Sequence, residues 1–271
     1  MVLLNGKPIN VTIFPDNTSQ VWKLPEQILN ETNFANVTWK FEHEGEFMHL
    51  AQLKALLDAN HFKARLQIDY LPYGRQDKIV SNETTFALKP FADLLNSLKF
   101  DEVAIFDPHS KIAFRLIENS RNTFFTVRQK VHTALIRISG GEKEVTLCYP
   151  DQGACDKYID QLISFHGDLP IRGHKKRDQK TGYITDYTFS GEPKDKNVLI
   201  VDDICDGGMT FKILTEQLIQ SGAKEVNLYV SHGLFTKGIK TLKESGINRI
   251  FTKDGEVIGE EDGKPIIEHY N

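Results

Sequence analysis

The sequence predicts an α/β protein built around mainly parallel sheets. Short apolar runs rich in β-branched residues end at Gly, Pro or Asp, and longer amphipathic stretches alternate with them. This alternation is typical of parallel strands that are joined by helices. The chain has 271 residues, which at about 150 residues per domain predicts two domains. The same strand-loop-helix rhythm in both halves indicates that the two domains are similar.

Local patterns predict the individual elements. The clearest helix follows Thr210, where Phe211, Leu214 and Leu218 form one apolar stripe. Three more helices are predicted, over residues 49–58, 86–98 and 132–138. The predicted strands are Val11–Phe14, Val37–Phe41, Leu66–Leu71, Val103–Phe106, Val145–Tyr149, Val198–Val201 and Val226–Val230.

Two polar stretches interrupt these patterns. Glu118–Val131 separates the two similar halves, so we place the domain boundary near residue 125 and expect domains of residues 1–125 and 126–271. Gly167–Glu192 has no apolar periodicity and carries the basic cluster Arg172–Lys180. Long segments without regular structure are usually functional or disordered, and we expect one of these outcomes here.

Composition excludes several classes of protein. Hydrophobic residues make up 40% of the chain and charged residues 26%, as in ordinary globular proteins. The formal net charge of −4 does not favour nucleic acid or anionic membrane, and the basic cluster lacks the aromatic residues of a nucleic-acid site. The three cysteines include no CxxC pair, and the sequence shows no secretory signal. No apolar run approaches the roughly 18 residues that a membrane helix needs. These observations predict a cytoplasmic protein.

Charged or glycine-bearing loops follow four of the predicted strands. Ligands of open parallel sheets bind beyond the carboxyl ends of the strands, so these loops are the candidate site. They read PYGRQDK from Pro72, DPH from Asp107, PDQG from Pro150 and DDICDGGMT from Asp202.

The last of these loops has two chemical features. The adjacent carboxylates of Asp202 and Asp203 would repel each other unless they bind hydroxyls, a metal ion or a cation. The backbone N–H groups of the next residues, 206–210, enter a helix and can hold a phosphate together with the Thr210 hydroxyl. Taken alone, the same loop could be an acidic turn with Thr210 as the N-cap of the helix.

These residues resemble a known family. VLIVDDICDGGMTF is similar to the ribose-phosphate loop of phosphoribosyl pyrophosphate-binding proteins, and DYLPYGRQDK is similar to the ATP segment of ribose-phosphate pyrophosphokinases. The motifs FDPHS, YPDQGA, GHKKRD and YVSHGLF continue the order of that family, and the resemblance covers about residues 11–235. It implies two type I phosphoribosyltransferase-like α/β domains, with ATP between them and often across a subunit interface.

The resemblance also implies a reaction. The β,γ-diphosphoryl group of Mg·ATP would pass to the anomeric 1-hydroxyl of a ribose 5-phosphate moiety, and AMP would leave. Such a transfer chiefly requires neutralisation of dispersed negative charge, which Arg75, Lys175, Arg177 and Mg²⁺ would supply. Lys175 and Arg177 match the catalytic Lys-x-Arg pair of the family, which precedes a mobile loop.

The roles implied by the resemblance divide between the two halves. The catalytic residues would be Lys175, Arg177, Arg75 and His109. The ATP contacts would be Phe14, Asp16, Arg75, Gln76, Asp77 and His109. The acceptor contacts would be Asp151, Gly153, Asp202, Asp203, Asp206, Gly207, Gly208, Met209 and Thr210. Mg²⁺ would be held by His109 and Asp151. Taken alone, a histidine in a turn is more often simply solvated, and so is a basic loop such as Arg172–Lys180.

The sequence departs from the family at several positions. The family's FxDGE is FPDNT here, so the acidic residue is replaced at Thr18 and the adenine contacts are expected to differ. The short stretch before this motif and the end at Asn271 lack room for the family's first and last helices, which favours a homodimer over the regulated hexamer of the family.

The phosphate loop contains the most informative departure. The family's DTGGT reads Asp-Gly-Gly-Met-Thr here, so Gly207 lacks a hydroxyl that would bind the terminal phosphate. Either the backbone amides suffice, or the pocket is open for a 5-phosphate that carries another group, as in ADP-ribose. The resemblance extends to divergent phage-type members with an ADP-ribose pyrophosphate synthetase activity that feeds NAD⁺ synthesis. We therefore slightly favour ADP-ribose over ribose 5-phosphate as the acceptor. If the gene belongs to a phage, the expected location is the host cytoplasm.

Two other functions share some of these features. A phosphoribosyltransferase would use the same ribose loop and release pyrophosphate, but it would not need the Arg75-Gln76-Asp77 segment or a second domain. A regulatory homologue without turnover would bind nucleotides, but it would not need Lys175, Arg177 and His109. An enzyme, an ATP-dependent diphosphotransferase, therefore remains the leading prediction.

Overall fold

The computed structural model describes residues 1–24, 34–140, 144–165, 168–177 and 184–270. The chain divides into two compact units, residues 1–124 and 125–271. No helix in these described ranges is long and apolar enough to cross a membrane.

The N-terminal unit is built on a six-stranded sheet of order β2-β1-β5-β6-β7-β8. Neighbours from β5 to β8 are parallel, whereas β1 pairs antiparallel with β2 and β5. The strands of this unit are β1 (Val2–Leu4), β2 (Lys7–Pro8), β3 (Thr12–Ile13), β4 (Ser19–Gln20), β5 (Phe34–Trp39), β6 (Lys63–Ile68), β7 (Glu102–Ile105) and β8 (Ser120–Asn122). Its helices are α1 (Glu46–Ala59), α2 (Leu88–Ser97) and α3 (Ile112–Leu116).

Alternation of side chains explains how these strands face their core. In β6 the residues Ala64, Leu66 and Ile68 are buried, and the residues between them are exposed. Successive side chains of a strand point to opposite faces, so this pattern turns one apolar row inward. The buried row packs with Trp39 of β5 and Leu50 of α1 in one hydrophobic cluster.

The C-terminal unit contains an eight-stranded sheet of order β11-β10-β9-β12-β13-β14-β15-β16. Its centre, from β10 to β14, is parallel, and the strands at both edges are antiparallel. The strands are β9 (Val145–Tyr149), β10 (Ile171–Arg177), β11 (Ile184–Ser190), β12 (Asn197–Cys205), β13 (Glu225–Gly233), β14 (Ile247–Thr252), β15 (Gly255–Glu261) and β16 (Lys264–His269). The helices are α4 (Phe124–Ser139), α5 (Gln152–Tyr158), α6 (Met209–Gln220) and α7 (Lys240–Glu244), with a 3₁₀ turn at Ile163–Phe165.

The predicted α/β class is confirmed, and two local predictions are wrong. Val11–Phe14 does not enter the large sheet, because β3 pairs only with β4 in a small hairpin whose Thr12 and Ile13 are exposed. The polar stretch Glu118–Val131 is not a simple linker, because it contains β8 and the start of α4. Val127 and Val131 are buried and give that helix its core-facing side.

Gly167–Glu192 has regular structure within the described residues, so the expectation of a segment without it is wrong, whereas a functional role for the segment stays a prediction. Strands β10 and β11 form an antiparallel hairpin at the edge of the C-terminal sheet. The sequence of β10 shows no apolar alternation, because the inward positions after Ile171 are occupied by Gly173 and Lys175. Tyr187 and Phe189 of β11 supply apolar surface to the same core.

Candidate active site

The carboxyl ends of β9, β10 and β12 form the centre of the candidate site in the C-terminal unit. These strands are neighbours and parallel, so the residues that follow or end them share one edge of the sheet. Asp151 directly follows β9, and Lys175 lies in the second half of β10. Asp202 and Asp203 lie in the C-terminal half of β12. The structure therefore brings together four side chains that the sequence marked separately.

Asp151 has both carboxylate oxygens engaged. It is the N-cap of α5, and its Oδ1 accepts a hydrogen bond of 2.9 Å from the backbone amide of Ala154. Its Oδ2 forms an ion pair with the Lys175 ammonium, and each side chain is 21% exposed. Gly153 lies in the first turn of α5, where an added Cβ would approach Asp151 Oδ1 to 3.2 Å. Asp151 thus fixes the start of α5 and holds Lys175 at the same time.

A close backbone approach positions the strand that carries Lys175. Tyr187 is the residue opposite Lys175 in the hairpin register. Its hydroxyl donates a hydrogen bond of 2.6 Å to the carbonyl of Pro150. Gly173 faces this contact, and a Cβ there would lie 2.3 Å from the Tyr187 hydroxyl and 2.5 Å from the Pro150 carbonyl oxygen. Only glycine leaves room for the hydrogen bond that connects the hairpin to the loop before Asp151.

The carboxylates at the end of β12 are in different surroundings. The Asp203 side chain is 8% exposed, and its Oδ2 lies 3.5 Å from Lys157 Nζ of α5. Burial, followed by the nearby charges of Asp203 and Asp151, raises the pKa of Asp202 well above its ordinary value. The Asp202 Oδ1 accepts a 2.8 Å hydrogen bond from the backbone amide of Asp203. This crowding of negative charge is what hydroxyl donors or a cation would relieve.

The loop after β12 forms a tight turn into α6. Gly208 has a φ of +77° and is the N-cap position, and α6 begins at Met209, which is 52% exposed. The alternative of Thr210 as the N-cap is therefore wrong, since Thr210 lies inside the first turn. The Asp206 carboxylate accepts a 2.5 Å hydrogen bond from the Thr236 hydroxyl.

Gly207 lies beside the side chain of Lys237. A Cβ at this position would meet the Lys237 side chain at 3.4–3.8 Å, which is ordinary van der Waals contact. The loop that carries Lys237 is bonded to the end of β12, because the backbone amide of Leu234 donates a 2.9 Å hydrogen bond to the Cys205 carbonyl. An exposed lysine thus lies beside the position where the family has a hydroxyl.

Arg177 is only partly described. Its backbone ends β10 opposite Ile184, after a register shift between Lys176 and Arg177. The mobile loop is predicted from after Arg177 to about Phe189; the Arg177 side chain and residues 178–183 of this stretch lie outside the described residues. The prediction of a mobile loop after Arg177 stays a prediction.

The segment that resembles the family's ATP segment lies in the N-terminal unit, between β6 and α2. The backbone amide of Gln76 donates a 2.8 Å hydrogen bond to the Tyr73 carbonyl, and the Gln76 carbonyl accepts one of 3.2 Å from Leu88 at the start of α2. Asp77 is buried, with 8% exposure, whereas Arg75 and Gln76 are exposed. The loop is thus anchored at both ends and presents Arg75 outward.

His109 lies after β7 in the same unit. It is exposed, and the two residues before it, Asp107 and Pro108, are buried. Asp107 has a φ of +41°, which marks a sharp change of chain direction directly before the histidine. His109 is therefore presented outward on a turn whose base is buried.

Phe14 and Asp16 lie in the turn of the β3–β4 hairpin. Asp16 Oδ1 accepts hydrogen bonds from the hydroxyl of Thr18, at 2.7 Å, and from its backbone amide, at 3.0 Å. These bonds lower the pKa of Asp16, the hydroxyl having the larger effect. The ring of Phe14 lies edge-on to Trp22, with centroids 6.2 Å apart. The residue at the family's acidic position therefore serves here to fix the turn.

Several residues of these surroundings were missed by the sequence reasoning. Lys157, Gly173 and Tyr187 support the C-terminal site, and Asp69, with only 8% exposure, directly follows β6. The predicted strand Leu66–Leu71 runs through Asp69, so the sequence did not mark this residue as part of a loop. The roles of Gly173 and Tyr187 depend on a contact between distant residues, for which a single sequence carries no signal.

The acidic and histidine side chains do not form a ready metal cage. Among the described residues no group of three or more His, Cys, Asp or Glu side chains could hold a metal ion. Mg²⁺ usually keeps several waters and takes one or two carboxylates together with substrate phosphates. The carboxylate of Asp151 fits that requirement once its oxygen is released by Lys175, and His109 is accessible in the other unit.

Comparison with known proteins supports the resemblance to ribose-phosphate pyrophosphokinases. The phosphoribosyl transferase domain model matches residues 170–262. A ribose-phosphate pyrophosphokinase of Pyrococcus abyssi is 25% identical over 250 residues, which covers 91% of this chain and 84% of that protein. Those of Mycoplasma genitalium (30% over 173 residues) and Cereibacter sphaeroides (27% over 169 residues) each align with 62% of this chain. The chain spans about half the length of these two relatives, 49% and 50%.

A solved structure shares the fold. The phosphoribosylpyrophosphate synthetase of Mycobacterium smegmatis matches with a TM-score of 0.71 and 19% identity, over 90% of this chain and 79% of that one. This match confirms the predicted α/β fold of mainly parallel sheets flanked by helices. The sequence relatives confirm the predicted resemblance to ribose-phosphate pyrophosphokinases.

Proposed function

We propose that this protein is an ATP-dependent diphosphotransferase of the ribose-phosphate pyrophosphokinase type. The anomeric 1-hydroxyl of a ribose 5-phosphate moiety attacks the β-phosphorus of ATP, the bond from that phosphorus to the α-phosphate oxygen breaks, and AMP leaves. The observation that carries this proposal is the grouping of Asp151, Lys175, Asp202 and Asp203 at one edge of the C-terminal sheet. The names of the relatives supply the reaction type.

In the proposed reaction each group of the C-terminal unit has a role. Asp202 and Asp203 accept hydrogen bonds from ribose hydroxyls, and residues 206–210 hold the 5-phosphate through backbone amides. Lys175 stabilises charge on the diphosphoryl group as it moves, together with Arg177. Asp151 holds Lys175 before the nucleotide arrives, which keeps the ammonium close to its place of action.

The N-terminal unit is proposed to bind ATP. Arg75 contacts the phosphates, Gln76 and Asp77 support the segment, and Phe14 contacts adenine near Trp22. Mg²⁺ would supply charge neutralisation to ATP oxygens, and His109 is its proposed ligand in this unit.

Two acceptors are compatible with this reaction. The names of the relatives point to ribose 5-phosphate. The missing hydroxyl at Gly207 and the neighbouring Lys237 side chain favour an acceptor whose 5-phosphate is extended by a second phosphate, such as ADP-ribose. We propose ADP-ribose as the preferred acceptor on this ground, with ADP-ribose pyrophosphate for NAD synthesis as the product.

One experiment tests the reaction class and the acceptor together. The protein is incubated with ATP and Mg²⁺ and either ribose 5-phosphate or ADP-ribose, and AMP and the sugar products are quantified. We expect AMP, not ADP, in an amount equal to the diphosphorylated sugar. Pyrophosphate release from a phosphoribosyl donor would instead indicate a phosphoribosyltransferase, and no product with either acceptor would indicate a regulatory homologue.

The metal role of His109 leads to a specific prediction. His109→Ala is expected to shift the Mg²⁺ concentration for half-maximal activity upward by about tenfold, because a weakly held ion loses one of few protein ligands. A Mg²⁺ titration of initial rates measures the shift. The control is His43→Ala, an exposed histidine of the same unit that is outside the proposed site. Equal titration curves for the two variants would remove His109 from the metal site.

Acceptor choice is predicted to depend on position 207. Gly207→Thr is expected to restore a hydroxyl toward a phosphate monoester and to crowd the extended acceptor. A hydrogen bond to a charged group contributes roughly 1.5–3 kcal/mol, so the kcat/KM ratio of ribose 5-phosphate to ADP-ribose should rise about tenfold or more. The Cβ of the new side chain has room, since it makes only ordinary contact with Lys237. A constant or lower ratio would show that this loop does not select the acceptor.

The homodimer and the cytoplasmic location stay predictions from sequence. The three cysteines, Cys148, Cys155 and Cys205, are free and buried, which supports a reducing compartment. The molar mass in solution, measured by light scattering, tests the dimer.

A further inference from the structure

A lysine outside the implied set of site residues contacts one of the ribose carboxylates. Lys157 lies near the end of α5, and its Nζ is 3.5 Å from Asp203 Oδ2. The Lys157 side chain is 19% exposed and the Asp203 side chain 8% exposed, so this pair is largely removed from water. The Lys157 ammonium also lies 5.0 Å from the ring centroid of Tyr158. The lysine is thus held on two sides.

The charges around Asp203 explain why the lysine matters. Asp203 shares the end of β12 with Asp202, and two adjacent carboxylates repel each other. A buried carboxylate needs a cation or hydrogen-bond donors to remain charged and fixed in place. Lys157 supplies that cation to Asp203, whereas Asp151 is already bound to Lys175.

We infer that Lys157 is a positioning residue that holds the Asp203 carboxylate ready for a ribose hydroxyl, and that it thereby sets the preference for a vicinal diol over a deoxyribose. The inference rests on the proposed function, because it takes the acceptor to be a ribose phosphate. It adds a source of specificity that lies in α5 rather than in the ribose-phosphate loop.

The effect should appear in the discrimination between two sugars. A carboxylate held by Lys157 accepts a hydrogen bond from a ribose hydroxyl, and 2-deoxyribose 5-phosphate lacks one of the two hydroxyls. A site built to hydrogen-bond a hydroxyl binds the analogue without it poorly, because the buried acceptor is left unpaired. Without the lysine the carboxylate loses its fixed orientation, so ribose 5-phosphate loses affinity while the deoxy sugar loses little.

Calorimetric titration of the 271-residue chain tests this without turnover. The probes are ribose 5-phosphate and 2-deoxyribose 5-phosphate, and the proteins are wild type, Lys157→Met and Lys157→Arg. We expect a preference for ribose 5-phosphate of about tenfold or more in wild type, below about threefold in Lys157→Met, and largely restored in Lys157→Arg. The control is Lys196→Met, which removes another partly buried lysine whose Nζ lies 2.7 Å from Asp168 Oδ2.

The outcomes separate positioning from structure. An equal loss of affinity for both sugars in Lys157→Met, with the ratio unchanged, would overturn the inference and leave Lys157 a structural residue. So would a wild-type protein that binds the two sugars equally or binds neither. Thermal unfolding of each variant checks that it is folded. If Lys157→Met does not fold, Lys157→Gln replaces it, and an unchanged ratio of the affinities for the two sugars in that variant overturns the inference equally.

This test is independent of catalysis. A diol preference that depends on Lys157 in a protein that forms no AMP would support the inference and refute the proposed function. AMP formation with an unchanged sugar preference in the variant would do the reverse.

Discussion

Lys175→Ala is expected to lower kcat by about 10²-fold or more, with a smaller change in KM. In the proposed reaction the ammonium stabilises charge that develops on the transferred diphosphoryl group, and loss of such a cation affects the transition state more than the bound substrates. Steady-state rates of AMP formation, with ATP and the acceptor varied in turn, measure both constants.

The adjacent lysine provides the control for this prediction. Lys176 lies on the same strand, but its side chain is 81% exposed and its Nζ is 3.8 Å from Asp186 Oδ2. Lys176→Ala should therefore retain kcat within about twofold, as expected for a surface ion pair of little energetic weight. If the two variants have the same kcat, Lys175 has no catalytic role.

Gly173→Ala is expected to have the largest structural effect. A Cβ at this position would lie 2.3 Å from the Tyr187 hydroxyl and 2.5 Å from the Pro150 carbonyl oxygen, and a backbone oxygen cannot simply rotate away. Overpacking costs about 1–3 kcal/mol, and loss of the hydrogen bond from Tyr187 to Pro150 would add about 1 kcal/mol. We therefore expect the free energy of unfolding to fall by about 2–4 kcal/mol, as measured by urea denaturation.

The same substitution should also reduce activity, because it displaces the strand that carries Lys175 from the loop that carries Asp151. The control is Gly259→Ala in β15 of the same sheet, where the added Cβ would meet only Ile266 Cδ1 at 3.6 Å. That variant should unfold within about 0.5 kcal/mol of wild type. A Gly173→Ala protein as stable as the control would mean that the hairpin shifts at no cost.

Sequence patterns predicted the parallel core of the C-terminal sheet well, because its central strands contain apolar runs. Residues 145–149 were predicted as a strand and form β9 with the same bounds, and its buried Leu147 and Cys148 explain the strength of the signal. The helix α6 was equally clear, since Phe211, Leu214 and Leu218 are all buried on one face. Where one face of an element meets the core, the period of its apolar residues predicts its type.

The hairpin of β10 and β11 was not predictable in the same way. Its inward positions include a glycine that makes room for a tyrosine hydroxyl and a lysine that pairs with Asp151, so neither adds to an apolar pattern. The motif order pointed to Asp151, Lys175, Asp202 and Asp203 one at a time. Their mutual contacts, and the part of Lys157, depend on the pairing of strands that are distant in the sequence.

The edge position of this hairpin determines how readily it opens. Strand β10 pairs with β9 only through Ile171 with Cys148 and Arg172 with Tyr149, whereas β12 pairs with β13 along most of its length. Local opening of an edge element costs less free energy than opening of a central strand. The amide hydrogens of Lys175 and its neighbours should therefore exchange with solvent sooner than those of β12, which means that the strand carrying Lys175 would open locally while β12 stays folded.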